Sequence, residues 1–92
     1  MTEKTNTPAR LTDDHELYQK TLSVMAGIKE VRAELESEAR TIQQANPKTM
    51  FPAGYGERIA LIEALTEGYA VMAADMRRAA RSSGLSIPEG LL

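Results

Sequence analysis

Cationic residues that fall on otherwise apolar helical seams are the residues of this sequence best suited to binding chemistry. Arg32 lies between Ile28 and Leu35, and Arg58 begins a second apolar seam. A buried cation needs a partner, because an uncompensated buried charge costs several kcal/mol. Two interpretations remain open: each arginine extends to solvent or pairs with a glutamate, or it faces a bound anion. The glutamates considered as partners are Glu34, Glu63 and Glu67.

Two tyrosines and two further cations are candidates for the same kind of site. Tyr18 and Tyr69 fall on the seams, where most tyrosines pack, although a tyrosine beside Lys or Arg also stacks on nucleobases. Lys29 lies one step off the first seam, either as a solvated edge charge or as a ligand contact. Arg77 lies near the end of the second helix, where a cation complements the negative helix terminus.

Two glycines interrupt helical stretches, at a cost of about 1 kcal/mol each relative to alanine. They are Gly27 and Gly68. One interpretation is close contact between the two helices of the chain. The other is that each glycine makes room for a flat ligand or for the backbone of another subunit.

Composition disfavours several functional classes. Thirteen acidic residues against eleven basic ones give a formal charge of -2, whereas duplex nucleic acid favours a net basic surface. With no cysteine and only His15 as histidine, neither a thiolate metal site nor a recognisable nucleophile–histidine pair is present in the sequence. We therefore expect no enzyme, no cofactor and no metal.

The sequence shows no membrane-directed segment. No apolar run approaches the roughly 20 residues that span a bilayer. Residues 1–10 are polar, without a hydrophobic signal core, and are expected to form a disordered or mobile tail. We expect a cytoplasmic protein with no membrane partner.

Two long amphipathic helices account for the rest of the chain, residues 11–92. The first is expected at about 12–44, capped by Asp13 in a capping box with Glu16, or by Thr12. Asn46-Pro47 ends it. Its seam follows steps of three and four. The seam residues are Tyr18, Thr21, Met25, Ile28, Arg32, Leu35, Ala39 and Ile42.

An ordered loop at 45–56 leads to a second helix at about 57–83, with Gly84 as its C-cap. Met50, Phe51 and Tyr55 of the loop are expected to be covered. A short C-terminal tail carries Ile87, Leu91 and Leu92, which are expected to pack against a neighbour. The seam of the second helix comprises Arg58, Ile62, Leu65, Tyr69, Met72, Met76 and Ala79.

The pattern predicts an all-α, two-helix antiparallel hairpin that assembles into a homo-oligomeric helical bundle. A lone helix pair leaves one side of each apolar stripe exposed to solvent, and a chain of 92 residues is close to the lower limit for a self-sufficient core. We therefore expect the chain to bury these stripes against copies of itself.

Two stretches resemble a family of small phage helical hairpins. Met25–Leu35, MAGIKEVRAEL, is similar to that family's N-x-I-K-x-x-x-x-x-L helix, and Leu65–Tyr69, LTEGY, followed by AVMAADMRRA, resembles its L-Q-x-G-F-M-x-L-x-R-A helix. These phage proteins are sponges for cyclic nucleotides that antagonise the bacterial CBASS and Thoeris defence systems.

The resemblance implies a non-enzymatic homo-oligomer, a hexamer in the best-known branch, that sequesters cyclic dinucleotides in pockets between subunits. Lys29 would match the family's ligand-contacting lysine, Tyr18 its stacking tyrosine, and Arg77 or Arg78 its second-helix arginine, with Arg32 and Arg58 as further ligand contacts. Tyr18 lies eleven residues before Lys29, closer than in the family, and no tryptophan follows Arg58. The setting would be the cytoplasm of an infected bacterial host.

Two other functional classes fit the same pattern. A helical adaptor or inhibitor would act by protein–protein contact, using an exposed apolar stripe. A small structural subunit of a phage or plasmid is the third possibility.

Overall fold

The computed structural model describes residues 11–91, and this part of the chain is entirely helix and loop, without a strand. Helix α1 spans Glu16–Ala45 and helix α2 spans Tyr55–Ser83. The two helices pack against each other as a hairpin, which confirms the predicted all-helical fold. The expected N-terminal tail at residues 1–10 lies outside the described residues.

Helix α1 begins at Glu16 rather than at about residue 12. The Nδ1 atom of His15 accepts a hydrogen bond from the backbone N–H of Leu17 at 3.2 Å, so His15 is the N-cap. The expected caps, Thr12 and Asp13, are therefore wrong. The carboxylate of Asp13 instead accepts a hydrogen bond from the backbone N–H of Ser86 at 2.6 Å, which ties the start of α1 to the residues after α2.

Both ends of α2 depend on glycine. Gly84, with φ 70°, is the C-cap, as predicted from the sequence. Gly54, with φ 86°, precedes the first residue of α2, and a Cβ there would lie 2.9 Å from Nη1 of Arg58. A side chain at position 54 would thus be strained by its backbone and crowded by Arg58.

Every position of the two predicted seams is buried or half-buried in the structure. The inward-facing residues follow alternate steps of three and four on both helices, as expected for a helix pair. Residues of the first seam such as Thr21 and Ile28 lie at its margin, while Leu22, which is not one of the seam residues, is buried. The hydrophobic periodicity therefore identified the packed side of each helix.

The core is concentrated where α1 begins and α2 ends, here called the open end. A C-terminal segment, residues 84–91, folds back there over both helices and is anchored by Leu85 and Leu91. Ile87 and Leu91 of the tail thus pack on their own chain rather than on a neighbour, and Leu92 lies outside the described residues. The remaining buried members of this core are Tyr18, Leu22, Met25 and Ala73.

The other end of the hairpin, here called the loop end, is less well covered. Ala39 is its only buried hydrophobic residue on the helices that the structure describes. Met50 and Phe51 of the connecting loop are 78% and 73% exposed, so the expectation that they would be covered is wrong for the single chain. The loop end therefore has little hydrophobic core of its own.

An apolar face runs along one side of the hairpin. Its residues each immediately precede an inward-facing residue, and in an antiparallel pair of right-handed helices such positions lie on the same side. Ile28 is half-buried, and the other face residues are exposed or glycine. The residues of this apolar face are Leu17, Val24, Ile28 and Val31 of α1 and Leu61, Ala64, Gly68 and Val71 of α2.

Candidate functional site

Lys29 and Tyr69 meet at the middle of the hairpin. The ammonium nitrogen of Lys29 lies 5.8 Å from the centre of the Tyr69 ring, at the distance of a cation–π contact. The same nitrogen donates a hydrogen bond of 2.6 Å to the backbone carbonyl of Gly90. Lys29 is thus half-buried, and its ammonium group contacts both α2 and the C-terminal segment.

Two buried polar atoms beside this contact have no partner within the described part of the chain. They are Nε of Arg32 and the hydroxyl oxygen of Tyr69. A buried donor without a partner costs about 1–3 kcal/mol. The glutamates considered from the sequence do not pair with Arg32, since none of the ion pairs within residues 11–91 involves it. Arg32 therefore retains an unused buried donor at Nε and makes no ion pair within residues 11–91.

Tyr18 lies in the core at the open end and is only 4% exposed. Its hydroxyl donates a hydrogen bond to the backbone carbonyl of Ser86. Burial, and secondarily the carboxylate of Asp13, raises the pKa of the Tyr18 phenol above its ordinary value, so the hydroxyl stays protonated. A nucleobase can stack on this ring only if the C-terminal segment moves away.

Arg58 is occupied at the loop end. Its Nε donates to Oε1 of Glu38 at 2.8 Å, and its Nη1 donates to the carbonyl of Gly54 at 2.9 Å. The ion pair therefore forms with Glu38, not with the glutamates considered from the sequence. Arg58 joins α1 to the start of α2, which is a structural role.

Arg77 lies on the exposed surface of α2 toward the open end. It is eight residues beyond Tyr69, or about 12 Å along the helix axis. Arg58 lies eleven residues before Tyr69, or about 16 Å in the other direction. The structure thus brings Lys29 close to Tyr69, with Arg32 one turn away, and separates Arg58 and Arg77 from them.

The sequence marks Tyr69 as a seam tyrosine that could stack on a nucleobase, but does not place it beside Lys29. The signal that would have found this contact is the hairpin register, because folding the chain about residue 49 of the loop places residue 69 level with residue 29. The Glu38–Arg58 contact lies within two residues of the same register. We call Lys29, Arg32 and Tyr69 the central cluster.

A groove opens between the helices at the loop end, with a volume of about 360 Å³. Its lining combines apolar side chains with charged and amide groups. None of the residues selected from the sequence lines it. The lining residues are Glu36, Ala39, Arg40, Gln43, Tyr55, Ile59 and Ile62.

Two further features of residues 11–91 concern metal binding and membrane insertion. No group of three or more His, Cys, Asp or Glu side chains in this region is arranged to hold a metal ion. Neither described helix is long and apolar enough to cross a membrane.

Comparisons of the chain with protein-family models, with curated proteins and with solved structures gave no match. The resemblance to the phage sponges thus stays a prediction based on two short sequence stretches. The geometry of the central cluster is the main basis for a functional argument.

Proposed function

We propose that this protein is a non-enzymatic, self-associating binding protein that holds a small anionic nucleotide at its central cluster. The observation that carries the proposal is the half-buried pair of cations, Lys29 and Arg32, which lacks a carboxylate partner within residues 11–91. An unpaired charge near the low-dielectric interior raises the free energy of the folded protein, and a bound anion would lower it.

The three side chains of the central cluster suit a phosphate-bearing ring. A guanidinium binds a phosphate through two parallel hydrogen bonds, and an ammonium adds a point charge beside it. The hydroxyl of Tyr69, which has no partner among residues 11–91, supplies a polar contact, and its ring supplies an aromatic edge. Together these groups provide charge, hydrogen bonding and an aromatic surface without a basic net charge.

The ligand class that we propose is a cyclic oligonucleotide signal. This choice rests on the Ile28-Lys29 pair and the Gly68-Tyr69 pair, which resemble the motifs of the phage sponges. The protein would then act in counter-defence, withholding the signal in the cytoplasm of an infected host. In this proposal Tyr69 replaces Tyr18 as the aromatic contact, because Tyr18 is covered.

Self-association is the second part of the proposal. The exposed apolar face supports it, since five large apolar side chains of the two helices remain in solvent in the single chain. The resemblance implies a hexamer, with each pocket closed by a second copy. The five side chains are Leu17, Val24, Val31, Leu61 and Val71.

The same apolar face favours a second candidate function. A helical adaptor or inhibitor would dock this face into a groove of a different protein, as amphipathic helices commonly do. Such a protein would need no ligand at the central cluster, so nucleotide binding distinguishes the two functions.

Thermal unfolding in the presence of cyclic di- and trinucleotides tests the proposal. A ligand that binds only the folded state stabilises it by RT ln(1 + [L]/Kd), so the melting temperature should rise with the logarithm of the nucleotide concentration above Kd. Replacing Arg32→Ala should abolish this shift, whereas Lys20→Ala, which removes an exposed cation of the same helix, should preserve it. Absence of a shift with every nucleotide would favour the adaptor.

The Arg32→Ala variant gives a second readout without any ligand. Since Nε of Arg32 is buried and unpaired in the described chain, removing it should leave the free energy of unfolding unchanged or raise it by up to about 1 kcal/mol. A residue that served only the fold would show a clear loss of stability. Loss of nucleotide binding together with unimpaired stability identifies a ligand contact.

A further inference from the structure

We propose that a charged stripe on α2 binds the same stripe of a second copy of this chain, with the two α2 helices antiparallel. The stripe shares no residue with the apolar face. The inference rests on the self-association included in the proposed function, for which it supplies a surface, and it does not depend on the ligand. The stripe follows alternate steps of four and three and consists of Glu63, Glu67, Ala70, Ala74, Arg77 and Arg81.

The charged stripe is a side of α2 that the single chain leaves without cover. Residues that follow steps of four and three lie on one side of a helix. All six are exposed, although α1 and the C-terminal segment pack against other sides of α2. The half nearer the loop end is acidic, the half nearer the open end is basic, and two alanines lie between them. Alanine at the centre lets a second helix approach to about 8 Å between axes.

The charges of the stripe are not used within residues 11–91. None of the ion pairs of this region involves their side chains. Like charges also lie four residues apart, Glu63 with Glu67 and Arg77 with Arg81, and such spacing destabilises a helix. Opposite charges from a second helix would offset both repulsions. The glutamates and arginines of the stripe are thus available for contacts between chains.

One position of a two-fold axis matches all the charges of the stripe. In an antiparallel pair related by such an axis, positions at equal distance on either side of it lie opposite each other. With the axis level with position 72, Glu63 lies opposite the partner subunit's Arg81, and Glu67 lies opposite the partner subunit's Arg77. The symmetry forms each pair twice. Every charge of the stripe therefore meets an opposite charge.

The uncharged centre of the stripe and its neighbours fit the same axis. Ala70 lies opposite the partner subunit's Ala74, so small residues meet where the helices approach most closely. Beside the stripe, Thr66 lies opposite the partner subunit's Arg78. Arg78 itself pairs with Asp75 of its own chain at 2.9 Å, so it adds no unpaired charge. No like charges are opposed along the stripe, which favours the antiparallel orientation.

A depression of about 440 Å³ lies beside the acidic half of the stripe. An arginine suits it, because the apolar stem of an arginine packs on a side chain such as Ile62 while the guanidinium reaches a carboxylate. The partner subunit's Arg77 and Arg81 supply two arginines with the same spacing as the two glutamates. A second copy is therefore the occupant that the charge pattern favours. The depression is lined by Ile62, Glu63, Thr66 and Glu67.

Charge exchange tests the stripe. Glu63→Arg with Glu67→Arg makes it wholly basic, and Arg77→Glu with Arg81→Glu makes it wholly acidic. Each variant alone should show a dissociation constant for self-association at least about tenfold above that of the parent by sedimentation, because like charges replace each Glu–Arg pair. An equimolar mixture of the two variants should associate as tightly as the parent, since every pair then forms again with its charges reversed.

A matched control changes the net charge on the outer side of α1. Ser23→Arg, Glu30→Arg and Ser37→Arg lie at exposed positions outside the apolar face. Together they raise the net charge as much as the wholly basic stripe does, since a Ser→Arg change adds one charge and a Glu→Arg change adds two. This control should associate like the parent. An equal loss of association in the control would overturn the assignment of the stripe.

Two further outcomes would overturn the inference while keeping the self-association of the proposed function. If the parent associates and both exchanged variants associate equally well, the stripe is not an antiparallel interface. A parallel pair gives this outcome too, because it opposes each charge to its own copy. If the mixture fails to recover the association, the Glu–Arg pairs do not form between chains. A parent that remains a single chain at every concentration would contradict both the inference and the proposed self-association.

Discussion

The open end and the loop end of the hairpin are held together in different ways. At the open end, a third segment lies across both helices and contributes Leu85 and Leu91 to a continuous hydrophobic core. At the loop end, the helices are joined by the polar contacts of Arg58, beside an open groove. The two helices thus bury a continuous hydrophobic cluster where a further segment covers them, and only Ala39 of the described helices at the other end.

The central cluster lies at the boundary between these two regions. Lys29 holds the last part of the C-terminal segment through the carbonyl of Gly90, and Arg32 follows one turn toward the loop. The ligand site that we propose would therefore have the C-terminal segment on one side and the loop half of the hairpin on the other.

The largest expected effect of a single substitution is a truncation in the core of the open end. Leu22→Ala should lower the free energy of unfolding by about 3 kcal/mol, because Leu22 is 8% exposed and packs in the main cluster. The same truncation at Leu61, which is 53% exposed, should cost less than about 0.5 kcal/mol in the single chain. Urea denaturation of both variants at low protein concentration measures the two changes in the free energy of unfolding. Equal losses of stability would contradict the difference between the two positions.

A smaller effect is expected when the covering segment is loosened. Leu91→Ala should lower the free energy of unfolding by about 2 kcal/mol, since its side chain is buried against both helices. Amide hydrogen exchange should then accelerate in α1 around Tyr18 and Met25, and remain unchanged near Ala39. Uniform acceleration along the hairpin would show that the two ends unfold as one unit.

The polar contacts of Arg58 at the loop end should contribute less to the free energy of unfolding than the hydrophobic core does. Arg58→Ala should cost about 0.5 kcal/mol, because the side chains of Arg58 and Glu38 are 33% and 57% exposed and their attraction is screened by solvent. A double-mutant cycle with Glu38→Ala isolates the pair from the second contact that Arg58 makes with Gly54. A coupling energy of several kcal/mol would mean that the loop end is more rigid than its exposure indicates.

The smallest expected effect is a dependence of stability on alkaline pH. Tyr18 has its pKa raised in the folded state above the ordinary value of 10.0, so the folded protein favours its protonated form. The contribution of the Tyr18 hydroxyl to the free energy of unfolding is therefore complete below pH 10. It is lost as the pH rises above that value. Tyr18→Phe should flatten the decline in unfolding free energy above pH 10, measured by denaturation; an unchanged slope would contradict the burial of this hydroxyl.

The two helices could be predicted from the sequence because their apolar periodicity is local and strong. Every seam residue, from Tyr18 to Ala79, is at least half-buried. The C-cap at Gly84 was predictable for the same reason, since a glycine after the last periodic residue marks a helix end. These features depend on neighbours within a few turns.

The contacts that distinguish the two ends could not be predicted in this way. Tyr18 and Ser86 are 68 residues apart in sequence, and no local pattern encodes their hydrogen bond. The partner of Arg58 depends on the register of the hairpin, which the seams alone do not give. The same register brings Tyr69 to Lys29, so the Lys29–Tyr69 contact of the central cluster could be identified only from the fold.

Self-association is the claim on which the account depends most, and sedimentation equilibrium of the unmodified chain tests it most directly. The account predicts a mass that is a multiple of the 10.1 kDa chain at micromolar concentration, falling toward the single-chain mass on dilution. A well-folded protein of 10.1 kDa at every concentration, with or without nucleotide, would contradict it.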